Sequence, residues 1–164
     1  MKTDAQIQQD VMAELAWEPA IDAQQIGVQV DRGVVTLTGR VASYAQKYDA
    51  ERAAQRIAGV AALAVELEVV LASANRRSDA EIAHAAENAL KWTTYLPRDA
   101  VKVRVEHGWI TLTGAVAWEY QRQGASREVR YLLGVKGVSN EIALNAAWST
   151  PGAQNGIDKR VVAR

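Results

Sequence analysis

The sequence predicts two tandem α+β modules of one kind, each in the order αββαβ, and three observations predict them. The stretch Gly33-Val34-Val35-Thr36-Leu37-Thr38-Gly39 returns as Gly108-Trp109-Ile110-Thr111-Leu112-Thr113-Gly114, an offset of 75 residues from Gly33 to Gly108. The same offset pairs Asp4 with Asp79, Ile7 with Ile82, Trp17 with Trp92, Val28 with Val103, Arg52 with Arg127, Gly59 with Gly134 and Val60 with Val135, without a gap. Within each copy the apolar period changes from helical to alternating and back, as expected of helices laid on a sheet. Each module should be a three-stranded mixed sheet with two helices packed on one face. The expected boundaries are 3–71 for the first module, 72–77 for a linker, 78–146 for the second and 147–164 for a flexible tail.

Thr3-x-x-Gln6 and Ser78-x-x-Glu81 read as capping boxes that open a helix in each copy. Ile7, Val11 and Leu15, and likewise Ile82, Ala86 and Leu90, then fall on one helical stripe facing the core. These helices should end near Trp17 and Trp92, before Pro19 and Pro97. Both tryptophans, with Tyr95 beside the second, are expected to cap the core of their unit. Asp4 and Asp79 stand in the first turn, where a carboxylate complements the helix dipole.

Strict alternation follows in Ile26-Gly27-Val28-Gln29-Val30 and Val101-Lys102-Val103-Arg104-Val105, marking strands with one buried face. Asp31-Arg32-Gly33 and Glu106-His107-Gly108 should turn the chain back into the repeated heptapeptide, with Gly33 and Gly108 free to take a positive φ. Gly39 and Gly114 share the parity of the apolar positions, so they are expected to let a helix approach the sheet closely. That helix is expected over 43–58 and 118–133, with Ala50, Ala54 and Ile57, or Ala125, Val129 and Leu132, facing inward. Gly59 and Gly134 sit where a left-handed C-terminal cap belongs. A last strand closes each unit through Leu63, Val65, Leu67 and Val69, or Val138, Asn140, Ile142 and Leu144. Asn140 interrupts the apolar alternation, which calls for backbone partners. A helical crossover should make this strand parallel to the second.

Beyond the second module the chain is rich in turn residues, and Ile157 and Val161 stand two offsets of 75 residues after Ile7 and Val11. The end is therefore expected to hold the start of a truncated third repeat.

Lysine plus arginine equals aspartate plus glutamate at 19 each, so no global field draws the chain to nucleic acid. Without cysteine there is neither a disulfide framework nor a thiolate metal site. The opening lacks the apolar run of a signal peptide, and no stretch approaches a membrane span. The expected location is cytoplasmic, peripheral to the inner membrane if attached at all.

The hairpins and closing strands resemble the BON domain family, named for bacterial osmotically inducible and nodulation proteins. The pattern V-x-V-x-x-G-x-V-x-L-x-G-x-V is carried by Val28, Val30, Gly33, Val35, Leu37, Gly39 and Val41. It is carried again by Val103, Val105, Gly108, Ile110, Leu112, Gly114 and Val116. The closing G-V-x-x-V-x-N-x-L matches Gly134, Val135, Val138, Asn140 and Ile142, whereas the first copy has Val65 in place of the asparagine. The resemblance implies a non-enzymatic, stress-related module that binds phospholipid or envelope components. The alternatives are a tandem scaffold that binds protein or itself, as a homo-oligomer, and sensing of a small ion or solute.

The residues themselves offer little enzyme chemistry. His84 and His107 lie mid-helix and in a turn, and the glycines match no phosphate-binding loop. No cofactor or metal is expected. The surface best suited to an anionic phospholipid or a protein partner is on and beside the second module's long helix: Tyr120, Arg122, Arg127, Arg130 and Lys136. Rings at headgroup depth and cations on phosphate are what an interfacial site needs. At 100° per residue, Arg127 and Arg130 point away from the core stripe and Trp118 falls near it.

Overall fold

The computed structural model describes residues 1–145, and the expected tail with Ile157 and Val161 lies outside the described residues. The chain divides into two compact units between Ala74 and Asn75. The first contains α1 (Asp4–Trp17), β1 (Ile26–Asp31), β2 (Val34–Val41), α2 (Tyr44–Gln55) and β3 (Ala62–Val69). The second contains α3 (Asp79–Lys91), β4 (Val101–Glu106), β5 (Trp109–Val116), α4 (Glu119–Arg130) and a closing strand in two pieces, β6 (Gly137–Asn140) and β7 (Ala143–Leu144).

Each module has the predicted αββαβ order. In the first, β1 pairs antiparallel with β2 and β2 pairs parallel with β3, giving the order β1-β2-β3. The second repeats this with β4, β5 and the β6–β7 pieces, both of which run parallel to β5. Both capping boxes form, with Thr3 and Gln6, and Ser78 and Glu81, each satisfying the other's backbone amide.

Periodicity translates directly into packing. Ile7, Val11 and Leu15 from α1 are buried against Val35 and Leu37 of β2 and against Ala50, Ala53 and Ala54 of α2. Ile82, Ala86 and Leu90 are buried in the second unit, as are Ile110, Leu112, Val116, Ala125 and Val129. Full burial of one such aliphatic side chain stabilises by about 1.5–3 kcal/mol, and a core this small needs nearly all of them.

A carboxylate ties each first helix to the hairpin. Asp79 accepts hydrogen bonds from the backbone amides of His107 (2.9 Å) and Gly108 (2.9 Å), and Asp4 accepts them from Arg32 (2.8 Å) and Gly33 (3.1 Å). The aspartate therefore does more than face its own helix dipole, as its position suggested. It reaches across to a two-residue turn whose central residues both have positive φ, 51° and 81° at Arg32-Gly33 and 50° and 79° at His107-Gly108. A non-glycine residue in that region costs roughly 1–2 kcal/mol, and the paired amide bonds help to offset the cost. These two amide bonds, Gly108 before His107, hold the Asp79 carboxyl below the usual carboxylate range.

Three expectations need correction. Gly39 and Gly114 do not make room for a helix: a side chain there would strike the backbone carbonyl of Gln25 or Ala100, at the entry to the neighbouring strand, and φ is 120° and 122°. Trp17 and Trp92 do not cap a core, because each helix ends with its tryptophan 82% and 79% exposed. Leu144 is exposed, because the closing strand breaks after Asn140 and its alternation does not continue. Gly59 and Gly134 do take positive φ, 96° and 88°, one turn beyond the helix ends.

Two predictions follow from these contacts. Gly114→Ala should lower stability by roughly 2–3 kcal/mol, through left-handed strain and collision with the Ala100 carbonyl, read as a lower urea midpoint. Asp79→Asn should lower the urea midpoint at neutral pH. A depressed carboxyl pKa contributes stability above the usual carboxylate range and loses it as pH falls through the folded value. The gap between variant and wild type should therefore close as pH falls below the usual carboxylate range.

Candidate binding surface

The five residues singled out by sequence do not form one cationic patch. Arg122 is committed inside the second module. Its Nε donates to the Ile142 carbonyl (3.0 Å), one Nη to the Asn140 carbonyl (3.3 Å) and the other to the Glu119 carboxylate (3.2 Å). Asn140 completes this latch by donating to the Arg122 carbonyl (2.8 Å) and accepting from the Ile142 amide (3.2 Å). The expected need of that asparagine for backbone partners is thus met on the strand edge, at a half-buried position.

Arg130 was expected to point to solvent and instead is only 8% exposed. Its guanidinium carbon lies 6.0 Å from the centre of the Tyr131 ring, so the long side chain folds along the protein with its head over an aromatic face. Arg127 and Lys136 are exposed. Lys136 sits at the hairpin turn, where its stem lies against Gly108 and its charge lowers the Asp79 pKa.

What the structure gathers is aromatic. Tyr95, just after α3, lies over Gly124 of α4 at the point where any side chain would collide with its ring. Its ring centre is 5.8 Å from that of Tyr120, and Gln121 Nε2 donates to its carbonyl (2.7 Å). These contacts lay the segment after α3 along α4, over Tyr120 and Gly124. Trp92, three residues before Tyr95, is 79% exposed; Tyr120 is 59% and Trp118 47% exposed. Trp118 occupies the N-cap of α4 and so stands ahead of the helical stripe that would have carried it inward. Lys91 and Arg98, both exposed, flank Trp92 and Tyr95 in the chain, with Asp99 alongside.

This end is particular to the second module. At the equivalent places the first has Ala20 for Tyr95, Ala45 for Tyr120, Asp49 for Gly124 and Ser43 for Trp118. Its Trp17 stands between Glu14 and Glu18, which Arg56 binds at 3.0 and 2.5 Å, where the second module has Ala89, Thr93 and Tyr131. The coupled change of two alanines to tyrosines and of Asp49 to Gly124 was a signal available in the sequence. It becomes legible once Tyr95 is seen to need a residue without a side chain opposite it.

No three of His, Cys, Asp and Glu among the described residues are grouped so as to hold a metal ion. Burial pushes the half-buried Glu51 carboxyl upward, with Lys47 acting against it, and its counterpart in the second module is Ser126. Among the described residues no helix is long and apolar enough to cross a membrane.

Comparison with known proteins agrees with the repeat. The BON domain family matches residues 3–70 and again 78–146. The chain is 29% identical over 143 residues to the osmotically-inducible protein Y of Escherichia coli (strain K12), covering 85% of this chain and 71% of that protein. Two solved structures of CdsD, a structural protein of the type III secretion system of Chlamydia trachomatis, are 16% identical to it. One match covers 88% of this chain and 67% of that one at a TM-score of 0.35, and the other 96% and 70% at 0.38. With its two matched domains spanning most of its length, the chain belongs to the BON domain family.

Proposed function

We propose that the protein is a non-enzymatic, peripheral binding protein whose second module attaches to anionic phospholipid surfaces through the aromatic end formed by Trp92, Tyr95, Trp118 and Tyr120. The observations that carry this reading are the exposure of Trp92, Trp118 and Tyr120 and the packing of Tyr95, three residues after Trp92, on Tyr120 and Gly124 of α4. Aromatic rings with a polar atom are suited to the boundary between headgroups and acyl chains, and the exposed Lys91 and Arg98, close to Trp92 and Tyr95 in the chain, would meet phosphate. The first module has Ala16 and Ala23 at those two places, so the cations accompany the aromatic residues. Similarity to an osmotically-inducible protein supports a role under osmotic stress.

Removal of Arg122 and Arg130 from the accessible set shifts the expected driving force from charge to ring burial. Charge then contributes only about 1 kcal/mol for each cation near the surface. Arg130 is also unsuitable as a surface probe, because a carboxylate put in its place would be buried.

Flotation of the full chain with phosphatidylglycerol and phosphatidylcholine vesicles tests the proposal. Binding is expected to phosphatidylglycerol, weakened but not abolished at high salt. Trp92→Ala should reduce it at least about tenfold, while Arg127→Glu leaves it nearly unchanged. Absence of flotation at low salt, or full binding by Trp92→Ala, would contradict the proposal and favour a protein partner for this end.

A further inference from the structure

A surface helix buries one stripe and turns polar residues to water on the other side. In the second module α3 does so: opposite Ile82, Ala86 and Leu90 it exposes His84, Glu87, Asn88 and Lys91. In the first module α1 does not. Opposite Ile7, Val11 and Leu15 it exposes Ala5, Gln9, Met12, Ala13, Ala16 and Trp17, with Met12 52% and Trp17 82% exposed. Met12, Ala13 and Ala16 thus stand where the second module has Glu87, Asn88 and Lys91. Apolar residues on both sides are the pattern of a helix covered on both sides.

The chemistry of this outer face selects what covers it. Ala5, Gln9, Met12 and Ala16 follow one another at spacings of four, three and four residues, the seam spacing by which one helix receives another. The alanines let two backbones come close. An anionic bilayer suits the face poorly, because its flank carries Asp10 and Glu14 and the helix is followed by Glu18, whereas an interfacial helix carries lysine and arginine there. A copy of the same face suits it well, since its residues are uncharged and bring no like charges together. The two ends complement each other. Lys2 precedes the helix, and Glu18 follows a last turn without a basic residue, so an antiparallel copy brings Lys2 toward the acidic, carbonyl-bearing end of its neighbour.

We propose that the outer face of α1 is a self-association surface, packed antiparallel on α1 of a second copy of this chain about a two-fold axis between Gln9 and Met12. In this register Ala5 lies opposite Ala16 of the other copy, and Gln9 opposite Met12. The two Gln9 amides flank the axis, where a polar pair within an apolar seam fixes the register. An isologous contact of this kind closes as a dimer. The proposal is independent of the aromatic end of the second module and of lipid binding.

Sedimentation of the full chain from roughly 10 µM to 1 mM, without lipid, tests it, since a contact of one helix pair should associate in this range. The wild type should show a monomer–dimer equilibrium. Met12→Lys and Gln9→Glu change exposed residues, so both chains should fold, and each alone should self-associate at least about tenfold more weakly. Mixed together, the two should associate at least about fivefold more tightly than either alone, because the register sets the new cation opposite the new carboxylate. Glu87→Lys, at the equivalent place on α3, should leave the equilibrium unchanged. A wild type that stays monomeric, Met12→Lys dimers as tight as the wild type's, a mixture no tighter than its components, or an equal loss from Glu87→Lys would each overturn the proposal. Should Met12→Lys fail to fold, Ala16→Glu reads the same face and should weaken association by a similar factor.

Discussion

The carboxylate that closes each hairpin turn is the contact on which the rest of a module depends. A turn with two positive-φ residues gives the flanking strands the twist they need, but a non-glycine first residue strains it. Asp4 and Asp79 bind both amides of that turn from the first turn of a helix. One interaction therefore fixes the hairpin's shape and the point at which the helix lies on the sheet. The stripes Ile7, Val11, Leu15 and Ile82, Ala86, Leu90 meet their strands because the helix start is anchored there. Gly39 and Gly114 act on the other end of the same hairpin, where the entry of β1 or β4 leaves no room for a side chain.

On this shared frame the modules have diverged at their surfaces. The first has Arg56, at the C-terminal end of α2, bridging Glu14 of α1 and Glu18, the residue after that helix, and it has an unbroken closing strand β3. The second has lost those charges, gained Tyr95, Tyr120 and the accommodating Gly124, and covered its edge with Arg122 and Asn140. Most of these substitutions lie at the surface, while Gly124 and Thr93 are buried and Val65 packs against the first module's core.

The fold was legible because its determinants are local and repeat: two capping boxes, alternating strands, turn glycines and alanine-rich inner stripes recur in phase. Surfaces were less legible because a side chain's partner comes from another part of the chain. Helical angle sent Arg130 outward and Trp118 toward the core, yet Arg130 folds over Tyr131 and Trp118 precedes the helix as its cap. Arg122 looked like a free cation until the strand edge at Asn140 and Ile142 supplied its acceptors. Recurrence of Trp17 and Trp92 suggested a shared place in the core, but recurrence alone does not distinguish a buried residue from an exposed one. Gly39 and Gly114 were placed on the apolar face by parity, whereas their need arises from the strand beside them.

The central functional claim is that the aromatic end of the second module enters the lipid interface while the open face of its sheet does not. Trp109 provides the internal comparison, since it lies on that face over Gly137 with its indole N–H bonded to Ser139 (2.8 Å). Two full-length variants, one keeping only Trp92 and the other only Trp109, with the remaining tryptophans changed to Phe, should be mixed with phosphatidylglycerol vesicles brominated in the acyl chains. The account predicts strong quenching of Trp92 fluorescence and little quenching of Trp109; quenching of Trp109 without Trp92 would contradict it.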